Sequence, residues 1–137
     1  MMKIKNFIMI AGIFAAGFLL ASAGKADSPM VKTQDGTYIV NTASLCDAKG
    51  FKGATPVEVY IKGGKVLKVV ALSNQETPGY FAKVKNSLLP LFNGMKIKDA
   101  KKQALATEVD GCTGATYSTK AIQKNISAAL EYYEKHK

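Results

Sequence analysis

The segment from Asp110 to Ser118 holds the residues of this chain whose types and spacing are best suited to chemistry. It reads Asp-Gly-Cys-Thr-Gly-Ala-Thr-Tyr-Ser. Three members carry almost no side-chain bulk, so that backbone amides there can approach a large ligand closely: Gly111, Gly114 and Ala115. Three others carry hydroxyls: Thr113, Thr116 and Ser118. An apolar helical pattern follows at once, and the first turn of a helix favours an anion, with phosphate the natural candidate. The alternative is that Thr116 or Ser118 only caps this helix.

A second segment of interest, Glu76-Thr77-Pro78-Gly79, stands between a predicted strand and a predicted helix. Connections of this kind often carry functional residues on a rigid scaffold. Glu76, Thr77, Pro78 and Gly79 are therefore treated as candidate site residues together with the hydroxyl-rich segment.

The elements that must position these segments can be predicted from periodicity. Residues 36–42 are rich in strand formers. Val57–Lys62 alternates with period two, Gly63-Gly64 is a tight-turn signal, and Lys65–Leu72 forms the return strand of a hairpin. Leu105–Val109 is predicted as a further short strand.

Two helices are predicted from apolar residues at helical spacing. The first runs from Phe81 to Phe92 and ends at Asn93-Gly94. The second begins near Ser118 and buries one face: Ala121, Ile122, Ile126, Ala129, Leu130 and Tyr133. The predicted fold class is α+β: a small antiparallel sheet with a central β-hairpin, packed against two or three helices, the last helix starting at the hydroxyl-rich segment.

The N-terminus resembles a targeting segment. Two lysines precede 15 uncharged residues, Phe7 to Ala21, and Ala21-Ser22-Ala23 supplies small residues for a peptidase. This order predicts a secretory signal peptide over residues 1–23, cleaved after Ala23; the alternative is a retained membrane anchor. Residues 24–35 are predicted as a linker and residues 36–137 as the folded domain. The protein is therefore expected to be exported, to a periplasm or a cell surface.

Composition excludes several classes of function. The chain has 137 residues and a formal charge of +9, and all 19 basic residues are lysine. Scattered lysines without arginine argue against nucleic-acid binding. The carboxylates show no metal-ligand spacing, and the single histidine, His136, lies in a charged tail without a nucleophile to serve. Cys46 and Cys112 are either a disulfide, which export permits, or free thiols.

Both segments together resemble the FMN-binding domain family. It includes the subunit designated C of the sodium-translocating NADH:quinone reductase and the subunit designated G of the Rnf electron-transfer complex. The family pattern has a Glu-Thr-Pro-Gly segment followed by Asp-x-x-Ser/Thr-Gly-Ala-Thr-x-Ser/Thr, and this chain matches at Glu76–Gly79 and Asp110–Ser118. The glycines of Gly50–Gly53 and of the hairpin turn are similar as well, so the resemblance covers roughly residues 36–133.

The resemblance implies specific roles. Thr116 becomes esterified to the phosphate of FMN by an exported flavin transferase that uses FAD and a divalent metal. Asp110 belongs to the recognition motif or, alternatively, is a structural turn residue. Thr113 hydrogen-bonds the phosphate or its own loop, and the Glu76–Gly79 segment lies against the flavin ring. Three aromatic residues are candidates for stacking on that ring: Tyr80, Phe81 and Tyr117. Two lysines are candidates for offsetting the phosphate charge: Lys120 and, less so, Lys124.

The leading hypothesis is an exported flavoprotein that carries FMN covalently on Thr116 and relays electrons. Such a carrier need not be an enzyme in its own right, and no catalytic residue or metal ligand is assigned. The first alternative is a binding or sensor module that holds flavin without a covalent bond. The second is a basic interaction domain without a cofactor. Membrane or exported redox partners are expected, but the sequence does not identify them.

Overall fold

The fold was described from a computed structural model, which covers residues 28–112 and 114–137. Four strands form one antiparallel sheet in the order of the sequence: β1 (Met30–Lys32), β2 (Tyr38–Asn41), β3 (Val57–Lys62) and β4 (Lys65–Ala71). The helical elements are α1 (Pro78–Lys83), α2 (Ile97–Gln103) and α3 (Thr116–His136). The predicted α+β class is confirmed. The predicted signal segment, residues 1–23, lies outside the described residues.

The central hairpin forms where the sequence predicts it. Gly63 and Gly64 have φ of +61° and +75°, which is the left-handed conformation that the two-residue turn requires. The pairing of Lys62 with Lys65 closes the turn, and a bulge follows where Leu67 is the extra residue of β4. β3 and β4 are therefore joined by a turn whose two central residues are both left-handed, a conformation that glycine adopts without strain.

The core lies between one face of the sheet and α3. Alternate residues of β3 point into it: Val57, Val59 and Ile61, all fully buried. The six residues predicted as the buried face of the last helix are all buried. Tyr38 of β2 contacts Tyr133 of α3 edge to face, with ring centroids 5.2 Å apart. α3 is thereby held along its length, which fixes the position of its first turn.

The helical segment after residue 78 is irregular. α1 continues as a π-helical turn (Val84–Leu88) and then a 3₁₀ turn (Leu89–Phe92), as predicted in extent. Pro90 lies in this run; it has no N–H to donate and its ring clashes with the preceding turn of a regular helix. The segment nevertheless buries Phe81, Val84 and Phe92 in the core.

Two sequence-based predictions are corrected here. Met30–Lys32, part of the predicted linker over 24–35, is strand β1 and pairs with β2. A turn around Asp35 and Gly36 returns the chain: the Thr37 amide donates to Asp35, and Gly36 has a φ of +88°. Residues 105–109 do not form a strand, because Leu105 is exposed and the Gln123 side chain, not a neighbouring strand, donates to the Ala106 carbonyl, at 3.1 Å.

Candidate functional site

Thr116 is the first residue of α3, and its side chain is exposed. The N-cap before it is Ala115, whose side chain cannot accept a hydrogen bond from the first-turn amides. The capping alternative is therefore wrong for Thr116, which lies inside the helix, and for Ser118, whose hydroxyl is bonded elsewhere. The first turn presents its partial positive charge beside an exposed hydroxyl.

The loop that leads into this turn depends on two glycines. Gly111 and Gly114 have φ of +89° and +86°, a conformation that residues with side chains rarely adopt. A Cβ on Gly111 would also lie 2.3 Å from Oγ of Ser87. Cys112 is buried between them, and its thiol lies 3.8 Å from the Lys83 carbonyl oxygen. The loop thus packs closely on the helical segment that follows α1.

A groove of about 410 Å³ lies between this loop and α3. Four of its lining residues follow one another at helical spacing on one face of α3: Thr116, Thr119, Lys120 and Gln123. Asp110 lines the opposite side. Thr119 is 7% exposed, and its hydroxyl has no hydrogen-bond partner in the structure. Glu108 and Asp110 line the groove together with Lys120, so it carries charges of both signs. The unpaired buried Thr119 hydroxyl fits a ligand that carries hydroxyl groups, which FMN does.

Glu76 is buried on the other side of the α3 N-terminus, where it joins two distant segments. Its carboxylate accepts hydrogen bonds from the amides of Phe51 (2.8 Å) and Lys52 (2.6 Å). It also accepts a bond from the Ser118 hydroxyl. A Cβ on Gly50 would lie 2.3 Å from Oε1 of Glu76, so only glycine permits this approach. The two candidate segments are therefore linked directly, through Glu76 and Ser118.

These bonds set the ionisation of Glu76. Burial raises its pKa, but the hydrogen bonds from Ser118 and from the amides of Lys52, Phe51 and Gly53 outweigh burial and lower the pKa below its ordinary value of 4.5. The carboxylate is accordingly charged near neutral pH. A lowered pKa means that its contribution to stability is complete above the ordinary value and is lost as the pH falls through the lower folded-state value.

We therefore expect acid to destabilise the protein partly through Glu76. The free energy of unfolding of wild type should fall as the pH drops below about 4.5, the ordinary value, and Glu76→Gln should flatten this fall while lowering stability at neutral pH. Urea denaturation across that pH range measures both effects, with the exposed Glu131→Gln as the control. Parallel curves for wild type and Glu76→Gln would contradict the role of the carboxylate.

The rest of the Glu76–Gly79 segment begins helix α1. Thr77 is its N-cap residue, Pro78 is its first residue, where the missing N–H costs nothing, and Gly79 is exposed. Glu76 and Pro78 line a second groove of about 290 Å³, separate in its lining from the groove beside Thr116. The structure therefore brings the segment to the α3 N-terminus but does not place it in the same groove as Thr116.

The three candidate aromatic residues have different environments. Phe81 is a core residue, 6% exposed, which also lines the second groove and not the groove beside Thr116. Tyr80 is exposed, lies under the Lys83 ammonium at 5.5 Å, and neighbours Gly114 of the loop. Tyr117 is exposed and lies beside Phe51, with ring centroids 6.1 Å apart. Phe51 was not among the residues that the sequence singled out for stacking.

The candidate lysines and the two cysteines differ in their surroundings. Lys120 lines the groove, whereas Lys124 is exposed and does not. Thr113 lies outside the described residues. Cys46 and Cys112 are free thiols in the structure, so no disulfide joins them. Gln123 was missed as a structural residue, although a polar side chain beside buried Ile122 on an apolar face was a signal for it.

Neither a metal centre nor a membrane span is found in residues 28–112 and 114–137. No cluster of three or more histidine, cysteine, aspartate or glutamate side chains there could hold a metal ion. None of the helices in that part of the chain combines the length and apolarity needed to cross a bilayer.

Comparison with known proteins agrees with the geometry. The model of the FMN-binding domain family matches residues 50–131. The subunit designated G of the ion-translocating oxidoreductase complex of Shewanella piezotolerans is 28% identical over 116 residues, covering 78% of this chain and 55% of the relative. The subunit designated G of the proton-translocating ferredoxin:NAD(+) oxidoreductase complex of Clostridium ljungdahlii is 31% identical over 107 residues, covering 72% and 56%. The chain spans about half the length of both relatives. No solved structure matches significantly.

Proposed function

The chain belongs to the FMN-binding domain family, and from this premise we propose that it carries FMN covalently, through a phosphoester to Thr116, and relays electrons outside the cytoplasm. The observation that carries the proposal is the exposed Thr116 side chain on the first residue of α3, after an alanine N-cap. A phosphate on that oxygen lies beside first-turn amides, where the helix favours an anion.

The proposed attachment step transfers FMN from FAD to the Thr116 hydroxyl. The Thr116 oxygen bonds to the phosphorus of the FMN half of FAD, the bond to the AMP phosphate breaks, and AMP leaves with the hydroxyl proton. The protein then carries FMN less one water. A flavin transferase is the proposed partner in this step, and the small residues Gly114 and Ala115 leave the hydroxyl accessible to it.

Several other site residues lie in the loop before α3 or line the groove beside Thr116. Asp110 and Lys120 line the groove beside Thr116, and Lys120 supplies a positive charge for the phosphate. Gly114 and Ala115 have little side-chain bulk, so the backbone of the loop can approach the flavin closely. Thr113 is assigned to the phosphate by the family pattern. Bound FMN supplies the redox chemistry, and these residues hold and orient it.

Electron transfer and export complete the proposal. The two relatives are subunits of oxidoreductase complexes by name, and a tethered flavin suits a relay because it cannot diffuse away between donor and acceptor. Residues 1–23 have the pattern of a signal peptide or anchor, so we place the domain in a periplasm or at a cell surface, with redox partners that are membrane-bound or exported. We assign it no substrate specificity of its own.

The intact mass of the protein tests the attachment. Wild type, Thr116→Val and Thr116→Ser are produced with a flavin transferase in an exporting host, and in-gel flavin fluorescence is recorded after denaturation. We expect wild type to gain the mass of FMN less water, Thr116→Val to gain none, and Thr116→Ser to gain part, because its hydroxyl remains.

The outcomes separate the alternatives. A yellow wild-type protein that loses its flavin in denaturant indicates a non-covalent binding module. A full mass gain in Thr116→Val would place the attachment on another residue. A colourless wild type, with the transferase active on a control protein, would contradict flavin attachment altogether.

A further inference from the structure

We infer that Glu76 is a positioning residue and not a flavin ligand: it aligns the rings of Phe51 and Tyr117 into a surface on which the isoalloxazine ring packs. The inference rests on the proposed attachment of FMN to Thr116. It differs from the expectation drawn from the family pattern, in which the Glu76 segment itself contacts the ring.

The Glu76 carboxylate is mostly occupied by donors from the protein itself. A carboxylate accepts about four hydrogen bonds. Glu76 already receives three of these, from the Ser118 hydroxyl and from the backbone amides of Phe51 and Lys52. It is also 6% exposed, and its oxygen lies against the Gly50 backbone. Glu76 lines the second groove and not the groove beside Thr116, so its carboxylate serves these donors and not a flavin tethered to Thr116.

The rings of Phe51 and Tyr117 lie side by side on the surface. Phe51 and Tyr117 are 67% and 66% exposed. Exposing two large aromatic side chains that lie together to water is energetically unfavourable, and such patches often mark a binding surface. Their centroids are 6.1 Å apart and their planes differ by 32°, so they form one continuous aromatic surface. Tyr117 directly follows Thr116 in the chain. A flavin tethered to Thr116 would therefore be a planar aromatic group close enough to pack on these rings.

Glu76 is bonded to both of the elements that carry these rings. Its bond to the Phe51 amide fixes the loop on which one ring is carried, and its bond to Ser118 fixes the first turn of α3, which carries the other. Neither ring is anchored by burial of its own. Loss of either bond should therefore separate the rings without removing the attachment oxygen.

Flavin fluorescence tests the ring surface. A tyrosine in contact with a flavin quenches its emission by donating an electron to the excited ring, whereas leucine does not. With FMN attached, we expect the emission of wild type to rise on unfolding and this rise to be mostly lost in Tyr117→Leu and partly lost in Phe51→Leu. Tyr60→Leu, on the outer face of the sheet, is the control and should behave as wild type. Intact mass shows that all variants carry equal FMN.

Two further variants distinguish positioning from direct contact. Glu76→Gln removes one acceptor of the carboxylate, and Ser118→Ala removes the bond to α3 while leaving Glu76 in place. If Glu76 positions the rings, both variants lose the quenching while they keep the FMN mass and a wild-type far-ultraviolet spectrum. A loss in Glu76→Gln with full quenching in Ser118→Ala would overturn the positioning role.

Free FMN makes the test independent of attachment. If wild type gains no covalent mass, the proposed function fails, but the ring surface is still examined by titrating the protein with FMN. Aromatic stacking of this kind corresponds to about tenfold in affinity, so Tyr117→Leu should bind free FMN about tenfold more weakly than Tyr60→Leu. Equal affinities for wild type, Tyr117→Leu and Phe51→Leu would overturn the inference.

Discussion

Replacing Gly50 by alanine is expected to destabilise the protein by about 2 to 3 kcal/mol, the cost of forcing an extra group into a packed site. The added Cβ would lie 2.3 Å from Oε1 of Glu76, 2.8 Å from its Cδ and 3.2 Å from Cα of Ser118. The Glu76 side chain cannot retreat without releasing the amides of Phe51 and Lys52. The same substitution should slow flavin attachment, because it displaces the first turn of α3.

Gly53→Ala is the matched control for this prediction. Gly53 belongs to the same loop, and a Cβ there would meet nothing within 4 Å. Its substitution should leave stability unchanged or raise it slightly, because alanine restricts the unfolded chain. Urea denaturation of both variants gives the comparison. Equal stabilities would mean that the loop yields without cost and that the approach to Glu76 is not tight.

Thr42→Val is expected to destabilise the protein by about 2 to 3 kcal/mol, because it leaves buried polar groups unpaired. The fully buried Thr42 hydroxyl donates to Oδ1 of Asn125 at 2.6 Å and accepts from the Val57 amide at 2.9 Å. Nδ2 of Asn125 in turn donates to the Ala121 carbonyl at 2.8 Å. Valine has nearly the same shape but can form neither of the two bonds made by the Thr42 hydroxyl.

A double-mutant cycle with Asn125→Leu checks the mechanism. Each single substitution leaves a buried partner behind, whereas the pair removes both side-chain groups, so the double variant should be less destabilised than the sum of the two. Thr42→Ser, which keeps the hydroxyl, should cost clearly less than Thr42→Val. Strict additivity would indicate that the two residues stabilise the fold independently.

The parts of the fold that the sequence predicts are those set by local physics. The Gly63-Gly64 turn, the alternation of β3 and the apolar face of α3 each depend on residues close together in the chain, and all three are confirmed. Leu105–Val109 has the composition of a strand, but the Ala106 carbonyl accepts a hydrogen bond from the Gln123 side chain and not from a neighbouring strand. No local sequence pattern indicates that a distant side chain will take the place of a strand partner.

In the candidate site, too, local spacing predicts some features and long-range contacts determine the others. Spacing predicts that the last helix begins near Ser118, close to its observed start at Thr116, and that its N-terminus is open to an anion. Spacing could not predict that Glu76 faces inward, because the donors to its carboxylate come from residues 24 to 42 positions away. Gly50 and Phe51 were visible only as part of a glycine-containing turn, and their roles depend entirely on that long-range contact.

The bond between Thr42 and Asn125 also bears on the order in which the chain can fold. It joins residues 83 positions apart, across the first turn after β2 and the middle of the last helix. Contacts at such separation require a large loop to close before they contribute, and they slow folding relative to local contacts. The inner face of the sheet stays uncovered until α3 is available to pack against it. In a chain that is synthesised from its N-terminus, this core is therefore completed only after α3 is available, and the turn that bears Thr116 takes its final place at that stage.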